Sequence, residues 1–297
     1  MAEIPAPAPG RRQVRVRLAG AGICASELPL YEGRDWFRYP RAPGEPGHEG
    51  WGHIDAVGPG VSDLSVGQRV ALISYRAHAE FDVADASAVV TLPAAIDDEA
   101  PFPGEPLACA VNAFGRAGVQ PESRVAVVGC GFLGLLLVEL CAGATKEVVA
   151  ISRRPSSRAL ALTLGADRVL APDEHAFGSD AFDVVFEATG HQEPLDLASR
   201  LTRVRGRLII AGYHQDGRRS VDMQLWNWRG LDVVNAHERD PAAYVEGLRE
   251  AVDAVRKRRL DLRPLITHRF TLEQLGEAYR ISLERPEGFI KAVWCDG

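Results

Sequence analysis

Two kinds of hydrophobic pattern divide the chain. Over its first hundred residues, apolar positions come in short alternating runs broken by glycine and proline. "RRQVRVRLAGAGI" alternates basic and apolar side chains, as a half-buried strand does. "GHIDAVGPGVSDLSVGQRVALI" holds two such runs around turn signals, and "AEFDVADASAVVTLP" continues them. Many short strands spaced by turns predict a compact, irregular barrel.

Near Glu105 the period changes. "EPLACAVNAFGRAG" has helical apolar spacing and stops at Gly118. From Arg124 apolar strands and amphipathic helices alternate strictly: "RVAVVGCG", "FLGLLLVELCAGA", "EVVAISRR", "SSRALALTLGA", "DVVFEATG", "EPLDLASRLTRV" and "GRLIIAGY". Alternation of this kind implies a parallel sheet covered by helices on both faces. After about Asp240 the pattern is mixed again, with the charged helix "YVEGLREAVDAVRKRR" and a final "GFIKAVW". The predicted class is α/β. A β-rich domain takes residues 1–110 and 240–297, and a doubly wound parallel-sheet domain takes 111–239.

Composition narrows the choice of partners. The 297 residues allow two domains with substantial cores. A net charge of -6 argues against general nucleic-acid binding, which wants a basic face. No stretch approaches the roughly 20 apolar residues of a membrane span, so no membrane partner is expected. "MAEIPAPAPG" has neither a basic start nor an apolar run, unlike a secretory signal. The five cysteines are widely spaced without a CxxC pair, which favours a reducing cytoplasm over a disulfide framework.

Gly129, Gly131 and Gly134 form GxGxxG between a strand and a helix. Glycine serves there for the tight turn, for close approach of backbone to a pyrophosphate, and for helix packing on strand. The helix N-terminus adds unpaired N–H groups facing the phosphates. An NAD site normally carries Asp or Glu about 20 residues on, for the ribose hydroxyls. "AISRRPSSR" supplies Ser152, Arg153 and Arg154 instead. A guanidinium there suits a 2′-phosphate, so NADP(H) is expected over NAD(H). Use of either cofactor stays open if both arginines are merely solvated.

Hydride transfer from an alcohol needs a group that stabilises an alkoxide. Candidate metal donors are scattered: Cys24 in "GICASE", His48 and Glu49 in "GHEG", and Glu105 or Cys109 in "GEPLACA". Each alone has an ordinary structural reading, as a buried thiol, a turn residue or a helix N-terminal acid.

Taken together and in this order, they resemble the medium-chain dehydrogenase/reductase superfamily, and within it the zinc-dependent sorbitol-type dehydrogenases. "GICASE" is similar to the family's GICGSD, "PGEPGHEGWGHIDAVGPGVSDLSVGQRV" to GHEGxGxVxxVGxxVxxxxxGDRV, and "GEPLACAVNA" to EPLAxxxHA. "GCGFLG", "EATG" and "PLITHRFTLEQLGEAY" follow in the expected sequence, so the resemblance covers nearly the whole chain. It implies a GroES-like catalytic domain joined to a Rossmann domain. It also implies one catalytic Zn²⁺ held by Cys24, His48 and Glu105, with Glu49 as an exchangeable fourth ligand and Cys109 as the rival. Ser26 matches the hydroxyl that begins the family's proton relay, and Glu27 stands behind the ligands in place of the family's Asp. Phe132, Leu133, Ala188, Thr189, Gly190 and Lys291 join the implied cofactor contacts.

Three departures accompany the likeness. The four close cysteines of a structural-zinc lobe are absent, so no second zinc is expected. Pro29 replaces a frequent relay histidine, and Asn112 replaces the His of EPLAxxxHA. The expected activity is hydride transfer between NADP(H) and a secondary alcohol or ketone of a polyol, sugar or cyclitol. The alternatives are a zinc-free NADPH-dependent enone or quinone reductase and a non-catalytic NADPH-binding protein. "MQLWNWRGLDVVNAH" falls where the family pairs strands between subunits, which implies a homodimer or homotetramer.

Overall fold

Strand β1 (Gln13–Gly22) anchors the first sheet. Val14, Val16 and Leu18 alternate inward and are almost fully buried. β1 pairs antiparallel with β2 (Glu49–Val57), which continues antiparallel to β3 (Arg69–Leu72) and, across it, to β5 (Val89–Thr91). β4 (Phe81–Asp85) pairs with the first half of β1. A single helical turn, α1 (Leu28–Tyr31), follows the end of β1. The helical spacing read around Glu105 is α2 (Gly104–Ala117), which ends at Gly118 with φ +58°.

The alternating stretch folds as its pattern requires. The strands are β6 (Arg124–Val128), β7 (Glu147–Ile151), β8 (Arg168–Leu170), β9 (Phe182–Glu187), β10 (Thr202–Ile210) and β11 (Asp232–Asn235). Between them lie α3 (Phe132–Cys141), α4 (Pro155–Thr163), α5 (Gln192–Leu201) and α6 (Met223–Arg229). All pairings are parallel, in the order β8-β7-β6-β9-β10-β11. That is the doubly wound order in which strand order reverses between β6 and β9, and ligands bind outside the strand ends at such a switch point. Burial on both faces explains the continuous apolar runs: every residue of Val125–Val128 and of Val148–Ile151 is buried.

The chain then returns to the first sheet through α7 (Pro241–Arg256), β12 (Ile266–Phe270), α8 (Leu275–Glu284) and β13 (Lys291–Cys295). β13 pairs antiparallel with the last residues of β1 and parallel with β12, completing seven strands. The computed structural model describes residues 3–174 and 181–296. They form two units, 1–108 with 241–297, and 109–240, each with its own apolar core.

Candidate functional site

The metal candidates in the first unit meet because of strand register. Gly22 at the end of β1 pairs with Glu49 at the start of β2. Cys24, just beyond one strand, and His48, just before the other, are therefore neighbours although 24 residues separate them in sequence. One donor atom each from Cys24, His48 and Glu49 lies within 4.8 Å of the others. A thiol, an imidazole and a carboxylate at this spacing fit Zn²⁺, which takes soft sulfur, nitrogen and oxygen donors tetrahedrally.

The orientation of His48 supports that fit. Its Nδ1 faces the Pro46 carbonyl at 2.9 Å and Glu27 Oε1 at 3.1 Å. A proton on Nδ1 satisfies both, which leaves the Nε2 lone pair for a metal. Ser26 Oγ donates to Cys24 Sγ at 3.1 Å. Burial opposes a charged His48 ring, but Cys24 and the carboxylates of Glu27 and Glu105 outweigh it and raise its pKa well above the ordinary value.

Glu27 meets His48 and stands at the centre of a buried network that the sequence pattern does not show. Tyr279 donates its hydroxyl to Glu27 Oε2 at 3.0 Å, and His78 Nε2 approaches the same oxygen at 3.0 Å. Trp294 Nε1–H points at His78 Nδ1 at 3.1 Å. An indole N–H can only donate, so Nδ1 accepts and Nε2 carries the hydrogen given to Glu27. Burial pushes the Glu27 carboxyl up, but His78 and His48 pull it further down, to about 2. Burial and the neighbouring Glu27 push Tyr279 far above the ordinary phenol value, so it remains a donor. His78 lies in the short connection between β3 and β4.

Glu49 and Lys291 form a second buried pair. Lys291 Nζ lies 2.6 Å from Glu49 and donates to the Ile23 carbonyl at 3.0 Å. Lys291 was expected among the cofactor contacts; in this unit its ammonium is engaged by Glu49 and Ile23. Burial pushes the Glu49 carboxyl up, partly offset by Lys291. A Cβ on Gly22 would sit 1.8 Å from Glu49 Oε2, so glycine is needed to admit the pair. Glu105 is outside the three-donor cluster: Tyr244 on α7 donates its hydroxyl to Glu105 Oε1. Glu105 still raises the proton affinity of both His48 and Glu49 by its charge.

In the second unit, the three glycines each have a separate reason. Gly129 takes φ +101°, and a Cβ there would lie 2.2 Å from the Thr189 methyl. A Cβ on Gly134 would lie 1.8 Å from the Gly129 carbonyl, so α3 packs directly on the turn. A Cβ on Gly131 would meet nothing within 4 Å, which leaves its backbone open to a ligand. Phe132 and Leu133 begin α3, whose N-terminal N–H groups suit a pyrophosphate. Ser152 is buried just after β7, Arg153 is exposed and Arg154 is half-buried. Arg158 Nη1 donates to the carbonyls of Ser152 and Arg153 at 2.7 and 3.0 Å and holds this turn. Ala188, Thr189 and Gly190 follow β9 at the switch point. Burial pushes the thiols of Cys130 and Cys141 up to about 12, which suits inert packing rather than ligation.

Comparison with known proteins agrees with this geometry. Residues 10–94 match the alcohol dehydrogenase GroES-like domain, and residues 133–254 match the zinc-binding dehydrogenase family. A sorbitol dehydrogenase of Gallus gallus is 28% identical over 98% of this chain and 92% of its own length. One from Halalkalibacterium halodurans is 25% identical over 93% and 90%. Among solved structures, an alcohol dehydrogenase from Escherichia coli CFT073 complexed with NADH has the same fold, with TM-score 0.85 and 24% identity over 98% of this chain and 94% of that one. So does the 2R,3R-butanediol dehydrogenase of Bacillus subtilis, with TM-score 0.84 and 21% identity over 100% and 96%. With both family models matched, and with a thiol, imidazole and carboxylate gathered in one unit and a nucleotide-type glycine turn in the other, the protein belongs to the zinc-dependent alcohol and polyol dehydrogenases of the medium-chain dehydrogenase/reductase superfamily.

Proposed function

We propose that the protein transfers hydride between NADP(H) and a secondary alcohol or ketone of a polyol, sugar or cyclitol, using one zinc ion. The convergence of the Cys24, His48 and Glu49 donors carries this reading. Cys24 Sγ and His48 Nε2 are its fixed ligands. Glu105, which accepts from Tyr244, and Glu49, which is paired with Lys291, are the carboxylates that would complete the set. Zinc in such a set supplies Lewis-acid chemistry, lowering the pKa of an oxygen brought to it.

The chain's own residues do the rest. Glu27 fixes the His48 ring, so that its Nε2 points one way. Ser26, partly exposed two residues from Cys24, accepts the proton of the substrate hydroxyl and hands it to solvent, since Pro29 offers no relay. The turn from Gly129 to Gly134 seats the pyrophosphate, and Ala188, Thr189 and Gly190 line the same cleft. Arg153 and Arg154 recognise the 2′-phosphate, where a carboxylate would repel it. The sorbitol substrate of the two relatives supports a polyhydroxylated substrate. We place the protein in the cytoplasm as a homodimer or homotetramer.

A panel of polyols, sugars and amino alcohols, read by cofactor absorbance, tests this. Turnover is expected with NADP⁺ at roughly tenfold or greater kcat/KM over NAD⁺, a preference of about 1.4 kcal/mol. It should vanish after chelation and return with Zn²⁺. Full activity in zinc-free protein would overturn the zinc reading, and an NAD⁺ preference would overturn the role of the arginines.

A further inference from the structure

Glu187 is the last residue of β9 and is fully buried. It pairs in register with Val128, the last residue of β6, so its carboxylate lies at the point where strand order reverses. The family's glycine turn does not account for it. Its Oε1 receives the Thr189 N–H at 2.7 Å, the Gly190 N–H at 3.0 Å and the Thr189 hydroxyl. Its Oε2 is met by His214 Nε2 at 3.0 Å. Arg219 Nε donates to His214 Nδ1 at 2.9 Å, which fixes the tautomer: Nδ1 accepts, and Nε2–H is given to Glu187. Arg219 Nη2 then reaches the Gly190 carbonyl at 2.8 Å and also engages Asp216.

The result is a closed loop of hydrogen bonds. It runs from Glu187 to the turn after β9, across to the turn after β10, and back. The two turns touch backbone to backbone: a Cβ on Gly190 would lie 2.3 Å from the Tyr213 carbonyl, and one on Gly212 would lie 2.2 Å from the Gly190 N. Thr189 Oγ1, oriented by Glu187, also accepts from the N–H of His191, which caps α5, at 3.1 Å. The Thr189 methyl packs where a Cβ on Gly129 would be. One buried carboxylate thus sets Thr189, and Thr189 borders the first glycine of the nucleotide turn.

We propose that Glu187, His214 and Arg219 are positioning residues for the dinucleotide, a hydrogen-bonded clamp on a buried carboxylate that holds the turns after β9 and β10 in the cofactor-binding form before the cofactor arrives. The proposal rests on the reading that Ala188, Thr189 and Gly190 line the cofactor cleft. Preorganisation of this kind lowers the ordering cost of binding. The role of Arg219 is geometric, because it spans His214 and Gly190 at once. A lysine keeps the charge but not the span.

The test is NADPH titration of the full-length protein by fluorescence, alongside thermal melting without cofactor. His214→Ala should weaken NADPH binding about tenfold, and His214→Gln, which can still accept from Arg219 and donate to Glu187, should stay within about threefold of wild type. Arg219→Lys should bind as weakly as Arg219→Ala. The cofactor KM should rise while kcat at saturating cofactor stays within about threefold. Lower melting temperatures with unchanged NADPH affinity would overturn the proposal, because they would mark a merely structural network. Wild-type affinity in Arg219→Lys would overturn it too, because charge alone would then suffice. If His214→Ala does not fold, the two Arg219 variants decide. If the wild type binds neither NADPH nor NADH, the underlying cofactor reading falls, and the clamp with it.

Discussion

The first unit collects Cys24, His48 and Glu49 from two separate stretches of chain, with Glu105 of a third stretch outside the cluster. The second places Gly129, Gly131 and Gly134 within six consecutive residues. In the first, the two buried carboxylates beside the donors have side-chain partners: Glu27 has His48, His78 and Tyr279, and Glu49 has Lys291. In the second, backbone geometry does most of the work, and the glycine turn needs room rather than charge. The difference follows from the ligand. A dication wants anionic donors, which are costly to bury without partners. A pyrophosphate can be met by N–H groups that the helix already exposes.

If the two regions are independent, variants should separate metal from cofactor. Cys24→Ala should have the largest effect. Zinc content should fall to near zero by atomic absorption and turnover by roughly a thousandfold, about 4 kcal/mol, with NADPH affinity unchanged. Comparable loss of NADPH binding would break the separation. Glu27→Gln should lower zinc affinity by about 10- to 100-fold in a competition titration, as expected when the partner of a ligating histidine is altered. Gly134→Ala should do the converse: its Cβ would meet the Gly129 carbonyl at 1.8 Å, so NADPH binding should weaken while zinc content holds.

The smallest effect sharpens the comparison from the packing side. Asp183 accepts the Arg124 N–H at 2.7 Å and Arg203 Nε at 2.6 Å. Burial pushes its carboxyl up, but these donors outweigh it and lower its pKa below the ordinary 3.8. A depressed folded-state pKa contributes stability above the unfolded value and loses it as pH falls through the folded one. Asp183→Asn should therefore cost about 1 kcal/mol at pH 7 by thermal melting. That gap should close as pH falls below 3.8.

The same contrast decides what could be read from sequence. The parallel sheet was legible because burial on both faces leaves unbroken runs such as "RVAVV" and "EVVAI". The glycine turn was legible because its residues are contiguous. Cys24, His48 and Glu105 stood out singly as candidate donors but could be grouped as one ligand set only by resemblance, since strand register, invisible in sequence, brings the first two together. His78 sits in a short polar connection with no period, and Tyr279 and Trp294 read as ordinary core residues. Glu187 was in view within "EATG", yet only the three residues after it were read as cofactor contacts. His214 and Arg219 lie in "GYHQDGRR", where nothing in the pattern announces a buried carboxylate nearby.

Trp294 ties the candidate metal pocket to a fluorophore. Its indole is fully buried and donates to His78, which bonds Glu27, which in turn meets the His48 ring. Any change in how His48 is held passes through two hydrogen-bonded groups to a fluorophore shielded from solvent. The blue-edge tryptophan emission, shared by Trp294 and the likewise buried Trp51, is therefore expected to change when zinc is added, without a label, a substrate or a cofactor.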